Sequence, residues 1–358
     1  MCNIWKNPTL PKEEVSLETL SKIPSGVTYL NLTGGEPTLR EDLLDIVDLL
    51  QPKAMKLEFS SNGLHPERLE PVIKKYPHTK IRFSLEGFEV TNNSIRGEKN
   101  GYNTKVNGLL RLQELGGTDL GFAITIQDDN IHDLVGLFEF AEKHHFELAT
   151  SALHNGFQFH KSDNLPYDRL GVARQIEGLI TGQLRTTSIK NWFRAYLNLG
   201  LITKVLGHDR LLPCTAATDF MFIDPWSDVF ACNVRPDLKV GNLERQNWDE
   251  IYNGTKAQEI RQQVAHCTQN CWMVGSAKTA MRNPVFPRLP KFGPLAWVIE
   301  NKIRVSMGGK VNFDKYIDYS RVHKDKDVVK RESFLGIPVR AKVETKDQPH
   351  YQEQYINR

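Results

Sequence analysis

Apolar and polar positions follow two alternating periods along the first half of the chain. Short runs rich in β-branched and apolar residues read as buried strands: Tyr29 to Thr33, Lys56 to Ser60, Lys80 to Ser84, Asp119 to Ile126 and Glu147 to Ser151. Between them apolar residues recur at helical spacing, as at Leu43, Ile46, Val47 and Leu50. This places helices around Glu41 to Leu50, Pro66 to Lys75, Asn103 to Leu115 and Ile131 to His144. No hairpin signal interrupts the series, so the pattern predicts βα units, a parallel sheet with helices outside, curled by right-handed crossovers towards a barrel. In such barrels functional groups gather at the carboxyl ends of the strands. Two amphipathic helices from Leu170 to about Leu206 are expected to close the barrel's side. Beyond them, Asp219 to Ala231 reads as strand, turn, strand.

Composition narrows the class. A chain of 358 residues with 40% apolar and 25% charged content has the make-up of a globular protein of about two domains. No long apolar run and no export signal are evident, so a cytoplasmic place is expected. Five cysteines in such a chain favour metal or cluster ligation over disulfides. Residues 278–358 carry 17 Lys+Arg against 9 Asp+Glu, whereas residues 1–277 carry 29 against 34, so the basic character belongs to the C-terminal tail. No nucleic-acid motif accompanies that charge, and no nucleic-acid partner is expected. Phe292, Trp297 and Ile299 beside Lys302 and Arg304 suggest membrane-surface contact, with an apolar stripe packed on the barrel as the alternative. Pro284, Pro287, Pro290 and Pro294 break up this segment, and Leu295 to Val305 reads as one short helix.

Candidate chemistry sits at the strand ends. In Gly34-Gly35-Glu36-Pro37 two glycines let the backbone pass close to a ligand and Pro37 stiffens the exit. The Glu36 carboxylate can accept hydrogen bonds from a cation such as an α-amine. A plain strand-to-helix turn is the alternative. Ser84 and Glu86 end the third strand, where a hydroxyl and a carboxylate suit a ribose or an amino-acid moiety. Asn62 is either a left-handed turn residue or a ligand contact. Arg96 is either a carboxylate contact or a solvated loop arginine, and Thr125 and Asn130 flank the next strand end. His154, His160 and Tyr167 follow the last barrel strand in a polar stretch. Cys214 and Cys232 flank the predicted hairpin, which brings them together, and Cys267 and Cys271, four apart, can approach from one turn of helix. Four converging cysteines hold either tetrahedral Zn²⁺ or a cubane iron-sulfur cluster.

The order Cys2-Asn3-Ile4-Trp5, Gly34-Gly35-Glu36-Pro37, Ser61-Asn62-Gly63 and Ser84-Leu85-Glu86-Gly87 resembles the radical S-adenosylmethionine (radical SAM) superfamily. That family has a CxxxCxxC core, a GGEP segment, a (T/S)NG turn and an SLDG-like turn. Cys2 matches the third core cysteine; the two upstream cysteines and the strand carrying them are absent. The expectation is an N-terminally short version of a complete enzyme, started at an internal Met, with a degenerate, non-catalytic iron-sulfur or zinc protein as the alternative. One thiolate does not hold a four-iron cluster that needs three. From Cys214 to Ser227 twelve residues intervene, and four from Ser227 to Cys232. This resembles SPASM and twitch extensions, which have Gly where Ser227 stands.

The resemblance implies a partial (β/α)6 radical SAM barrel lacking its first strand (1–206), a small cysteine-ligated SPASM/twitch domain (207–277) and a basic C-terminal tail (278–358). It implies a [4Fe-4S] cluster at the barrel, incomplete here with Cys2 alone, one auxiliary [4Fe-4S] cluster on Cys214, Cys232, Cys267 and Cys271, and S-adenosylmethionine near Gly34, Gly35, Glu36, Asn62, Ser84, Glu86, Arg96 and Thr125. The implied reaction releases a 5′-deoxyadenosyl radical that abstracts hydrogen from a substrate. The auxiliary cluster, saturated by four thiolates, serves electron transfer, and an external donor such as flavodoxin or ferredoxin is expected. A peptide, a sugar or glycan and a lipid all stay open as substrates, and no catalytic side chain is assigned.

Overall fold

The computed structural model describes residues 2–161, 163–282 and 293–322. A short helix α1 (Leu17–Ser21) is capped by Ser16, whose hydroxyl accepts the Thr19 N–H at 3.1 Å. The chain then runs through β1 (Leu30–Leu32), α2 (Leu43–Leu50), β2 (Leu57–Ser61), α3 (Glu70–Lys75), β3 (Lys80–Ser84), α4 (Glu89–Arg96), α5 (Gly101–Glu114), β4 (Asp119–Ile126), α6 (Leu134–Lys143) and β5 (Glu147–Ala152). The strands form one sheet in the order β1-β2-β3-β4-β5, each neighbouring pair parallel, with Phe59 beside Ile81 and Ile124 beside Thr150.

Both faces of the central strands are buried, as parallel strands under crossover helices must be. On the outer face Phe59, Ile81, Phe83 and Phe122 meet Val47 and Leu50 of α2, Val72 and Ile73 of α3, Leu109 of α5 and Leu137 of α6 in one core. Each such side chain contributes ~1.5–3 kcal/mol by leaving water. The predicted helix from Pro66 is in fact a 3-10 turn (Pro66–Leu69) running into α3. Pro71 lies in the first turn of α3, where its missing N–H costs no helical bond.

The inner face is polar at the amino ends of the strands. Lys80 Nζ pairs with Glu58 at 2.6 Å, and Arg82 of β3 pairs with Asp119 at the start of β4 and with Glu147 of β5, the latter at 2.6 Å. A contact from β3 to β5, two strands away, is consistent with a sheet that curls into a partial barrel. Burial opposes the Glu58 charge, but Lys80, Arg82 and Lys278 outweigh it and hold its carboxyl down at about 2. Burial pulls the other way on the cations, bringing Lys80 down to about 8 and Lys278 to about 7.

An α-hairpin, α7 (Arg169–Arg185) and α8 (Ile189–Val205), covers β5. Its buried Asn198 accepts from Thr150 of β5 at 2.6 Å and donates to Gln183 of α7 at 2.8 Å. Next come β6 (Phe222–Ile223), β7 (Asp228–Phe230) and β8 (Lys239–Asn242), an antiparallel sheet one strand larger than the predicted hairpin, then α9 (Trp248–Asn253), α10 (Thr255–Ala265), α11 (Val274–Arg282) and α12 (Pro294–Ser306). Helix α11 runs through position 277/278, where the sequence reading draws a boundary. Trp297 of α12 is fully buried, edge-on to Tyr196 of α8 at 5.6 Å, so it is withheld from any membrane surface. Ile299 is exposed, and Pro284, Pro287, Pro290 and Phe292 lie outside the described residues. Among the described residues no helix is long and apolar enough to cross a membrane.

Candidate functional site

Glu36 leaves β1 in extended conformation and caps the turn Pro37–Leu39. Its Oε1 accepts from Thr38 N at 3.0 Å, Thr38 Oγ1 at 2.7 Å and Ser61 Oγ at 2.8 Å, and its Oε2 accepts from Asn62 N at 2.5 Å. The buried carboxylate thus ties the end of β1 to the end of β2. Asn62 Oδ1 accepts the Leu64 N–H at 2.8 Å, the turn geometry that sequence alone leaves as one option. Gly63 has φ +72°, and a Cβ there would press on Phe83 and Lys105. Gly34 faces open space, while a Cβ on Gly35 would stand 3.6 Å from Ile4, so the N-terminal stretch lies over this strand end. Asn3, next to Cys2, donates its N–H to the Phe159 carbonyl at 2.7 Å and its Nδ2 to the His160 carbonyl at 3.1 Å. Cys2 is therefore held at the mouth between the first and last strands.

A second cluster of contacts joins β3 and β4. Buried Glu86 accepts from Arg96 Nη2 at 2.9 Å and from Thr125 N at 2.9 Å, and its own N–H donates to Asn92 Oδ1 at 3.1 Å. Asn130, fully buried, donates to the Thr125 carbonyl at 3.0 Å and accepts from Gln127 N at 2.9 Å. Arg96 Nε is buried without a hydrogen-bond partner among the described residues, a donor left for an incoming acceptor. Ser84 pairs in register with Ala123 and is half-buried. Helix α4, which delivers Asn92 and Arg96, was not foreseen: its eight residues are mostly polar.

His154 Nδ1 lies 3.0 Å from the Ala152 carbonyl, so it carries the proton and donates, leaving the Nε2 lone pair buried without a partner. Burial, and to a lesser extent Lys204, push its pKa down to about 4. Its ring packs on Phe159 at 5.1 Å. His160 is exposed with φ +49°, and Tyr167 is exposed.

Cys214 and Cys267 lie close enough to Cys232 to act on its thiol, and Cys271 follows Cys267 on the same loop. Burial raises the Cys232 thiol pKa and the neighbouring Cys214 and Cys267 add to the rise, while the Val234 and Arg235 N–H groups bond its sulfur and oppose it. Arg235 Nη1 stands 3.8 Å from Cys267 Sγ and Arg210 Nη1 3.9 Å from Cys271 Sγ. Cys267 and Cys271 lie on a loop between α10 and α11, not on the expected turn of helix; α10 ends at Ala265. Loop backbone frees N–H groups and carbonyls that a helix would consume. Trp272, beside Cys271, is fully buried against Gly200 of α8 and donates to the Leu197 carbonyl at 2.7 Å. The barrel meets this region again where Phe157 packs on Phe222 and Phe230 at 6.3 and 5.1 Å. Among the described residues no three His, Cys, Asp or Glu side chains converge on one point as a single ion demands. A cubane separates its thiolates further than one ion does, and N–H groups aimed at sulfur suit it. The donor set fits an iron-sulfur cluster. At the barrel mouth the chain brings Cys2 alone, which does not fit a cluster needing three thiolates.

Fold and site together define a partial (β/α) barrel with bonded carboxylates at its strand ends, followed by a small antiparallel sheet and loops that carry four cysteines. Residues 3–141 match the model of the Radical SAM superfamily, and residues 214–272 match SPASM, an iron-sulfur cluster-binding domain. The chain thus carries a radical SAM domain followed by a SPASM domain, and the two domains imply [4Fe-4S] clusters and S-adenosylmethionine. It is 30% identical over 119 residues to Fe-coproporphyrin III synthase of Methanosarcina barkeri, 33% of this chain and 30% of that protein. It is 26% identical over 210 residues to the mycofactocin maturase MftC of Mycolicibacterium smegmatis, 58% of this chain and 52% of that one. The match thus spans about a third to a half of these relatives. In fold the chain is similar to anSMEcpe with bound AdoMet and Cp18Cys peptide, with TM-score 0.53 and 11% identity, covering 89% of this chain and 86% of that one.

Proposed function

We propose that this chain forms the barrel and auxiliary-cluster part of a radical SAM enzyme that modifies a peptide. The observation that carries this reading is the bonded strand-end cradle, Glu36 on one side and Glu86 with Arg96 on the other, in the same chain as a four-cysteine centre ringed by N–H donors. In this reading the remaining lone pair of Glu36 Oε2 receives the ammonium of S-adenosylmethionine and the unpartnered Arg96 Nε meets its carboxylate. A peptide is favoured over a sugar or lipid by likeness to a maturase and to a fold neighbour solved with a peptide. The superfamily reaction generates a 5′-deoxyadenosyl radical and needs three core thiolates, so it belongs to a form joined to two more upstream of Cys2.

The second reading is a cluster protein without SAM cleavage. Incubation with S-adenosylmethionine and dithionite separates the two. A version extended upstream through a CxxxCxx segment forms 5′-deoxyadenosine, and the 358-residue chain does not. An extended version that holds both clusters and forms none contradicts the first reading.

A further inference from the structure

Two arginines face the cysteine sulfurs, each fixed by a partner of its own. Asp237 grips Arg235 as a fork, accepting from Nε at 2.8 Å and from Nη2, which leaves Nη1 turned to Cys267 Sγ at 3.8 Å. The Arg235 backbone N–H also bonds the Cys232 sulfur, so one residue serves two of the four cysteines. Arg210 is held by the Leu212 carbonyl at 3.3 Å and by the Cys271 carbonyl, with its guanidinium 5.2 Å from the Trp272 ring. Its Nη1 reaches Cys271 Sγ at 3.9 Å, and its Nη2 is buried with no hydrogen-bond partner among the described residues. A buried guanidinium N–H without an acceptor is costly unless a group absent from the protein supplies one. The sulfurs of a cluster would do so.

We infer that Arg210 and Arg235 are positioning residues that set the reduction potential of the auxiliary cluster, raising it so that the cluster acts as an electron acceptor. This rests on the reading of Cys214, Cys232, Cys267 and Cys271 as ligands of one [4Fe-4S] cluster. A reduced cluster carries one more negative charge than an oxidised one. Fixed cations and N–H donors at its sulfurs therefore stabilise the reduced form more, and the potential rises. The balance is one electron taken up by the cluster from a one-electron donor, the substrate-derived radical of the proposed reaction, which is thereby oxidised. Arginine suits the task because its charge persists at every working pH.

The test is an EPR-monitored redox titration of the chain purified and reconstituted without oxygen, with iron counted in parallel. Arg235→Gln, with its iron retained, should lower the midpoint potential by about 59 mV, a tenfold change in the one-electron equilibrium. Arg235→Lys, which keeps the charge, should recover at least half of that shift. Arg235→Gln with full iron and an unchanged potential overturns the inference. If Arg235→Gln loses its iron, Arg210→Gln carries the same test, and loss of iron in both assigns the arginines a purely structural role and overturns it. A wild-type chain that binds zinc and no iron overturns the cluster reading itself, an outcome distinct from an iron-loaded chain with an unmoved potential.

Discussion

Replacing Glu36 by Gln separates a bonded carboxylate from a mere turn residue. Four donors meet the carboxylate, three at Oε1 and the Asn62 N–H at Oε2. A glutamine that keeps its oxygen towards Thr38 and Ser61 turns its NH₂ at the Asn62 N–H, donor against donor. One charge-assisted bond, worth ~1.5–3 kcal/mol, is then lost, and three others fall to neutral strength. The sum is a destabilisation of about 3 kcal/mol, concentrated where β1 and β2 end. The assay is urea unfolding with hydrogen exchange read at Asn62 and Gly63. With an m-value of about 3 kcal/mol/M the midpoint should fall by about 1 M. Glu41→Gln is the control, an exposed carboxylate ahead of α2 whose loss should change stability by no more than about 0.5 kcal/mol. Equal midpoints for the two variants would refute the argument. This stability cost also means that weakened S-adenosylmethionine binding in Glu36→Gln must be read beside its unfolding curve.

Two further outcomes are expected. His154 has a folded pKa of about 4 against 6.5 when unfolded, so the unfolded chain takes the proton first on acidification. Its contribution is complete above pH 6.5 and is lost as pH falls towards 4, at most about 3.5 kcal/mol at ~1.4 kcal/mol per unit. His154→Phe should flatten the stability profile across that window, and parallel profiles for the two proteins would count against the buried neutral ring. Gly200→Ala puts a Cβ into the Trp272 indole, which must leave its bond to Leu197. It should cost about 2 kcal/mol or more and blue-shift or redden the tryptophan emission, whereas an unchanged spectrum and midpoint would show that α8 and the cysteine loop are not packed as described.

Much of the barrel is legible because its signals are local. Leu43, Ile46, Val47 and Leu50 fall on the buried face of α2 as their spacing says, and the five strand runs pair in sequence order. What escapes sequence reading depends on contacts distant in the chain or on short polar elements. Helix α4 has too few apolar positions to show a period, and β8 has four residues including a glycine. The ion pairs of Glu58 with Lys80 and of Arg82 with Glu147 join residues far apart in the chain, from β2 to β3 and from β3 to β5. The spacing makes Cys214 with Cys232 and Cys267 with Cys271 legible as two pairs; it gives no sign of Arg210 and Arg235, although they stand four residues before Cys214 and three after Cys232. Ser227 stands where the resemblance to SPASM and twitch extensions implies glycine. The structure gives it φ +68°, a left-handed residue, with its hydroxyl donating to Glu244 at 3.2 Å.

The central claim is that Cys214, Cys232, Cys267 and Cys271 form one iron-sulfur site beside a barrel built to hold S-adenosylmethionine. Metal analysis with Mössbauer spectroscopy on the anaerobically reconstituted chain tests it most directly. The account predicts about four irons per chain in a single cubane with four thiolates, lost on replacing Cys214 or Cys271 by Ala and retained on replacing Cys2. Stoichiometric zinc without iron, or an iron content indifferent to Cys214 and Cys271, would contradict it.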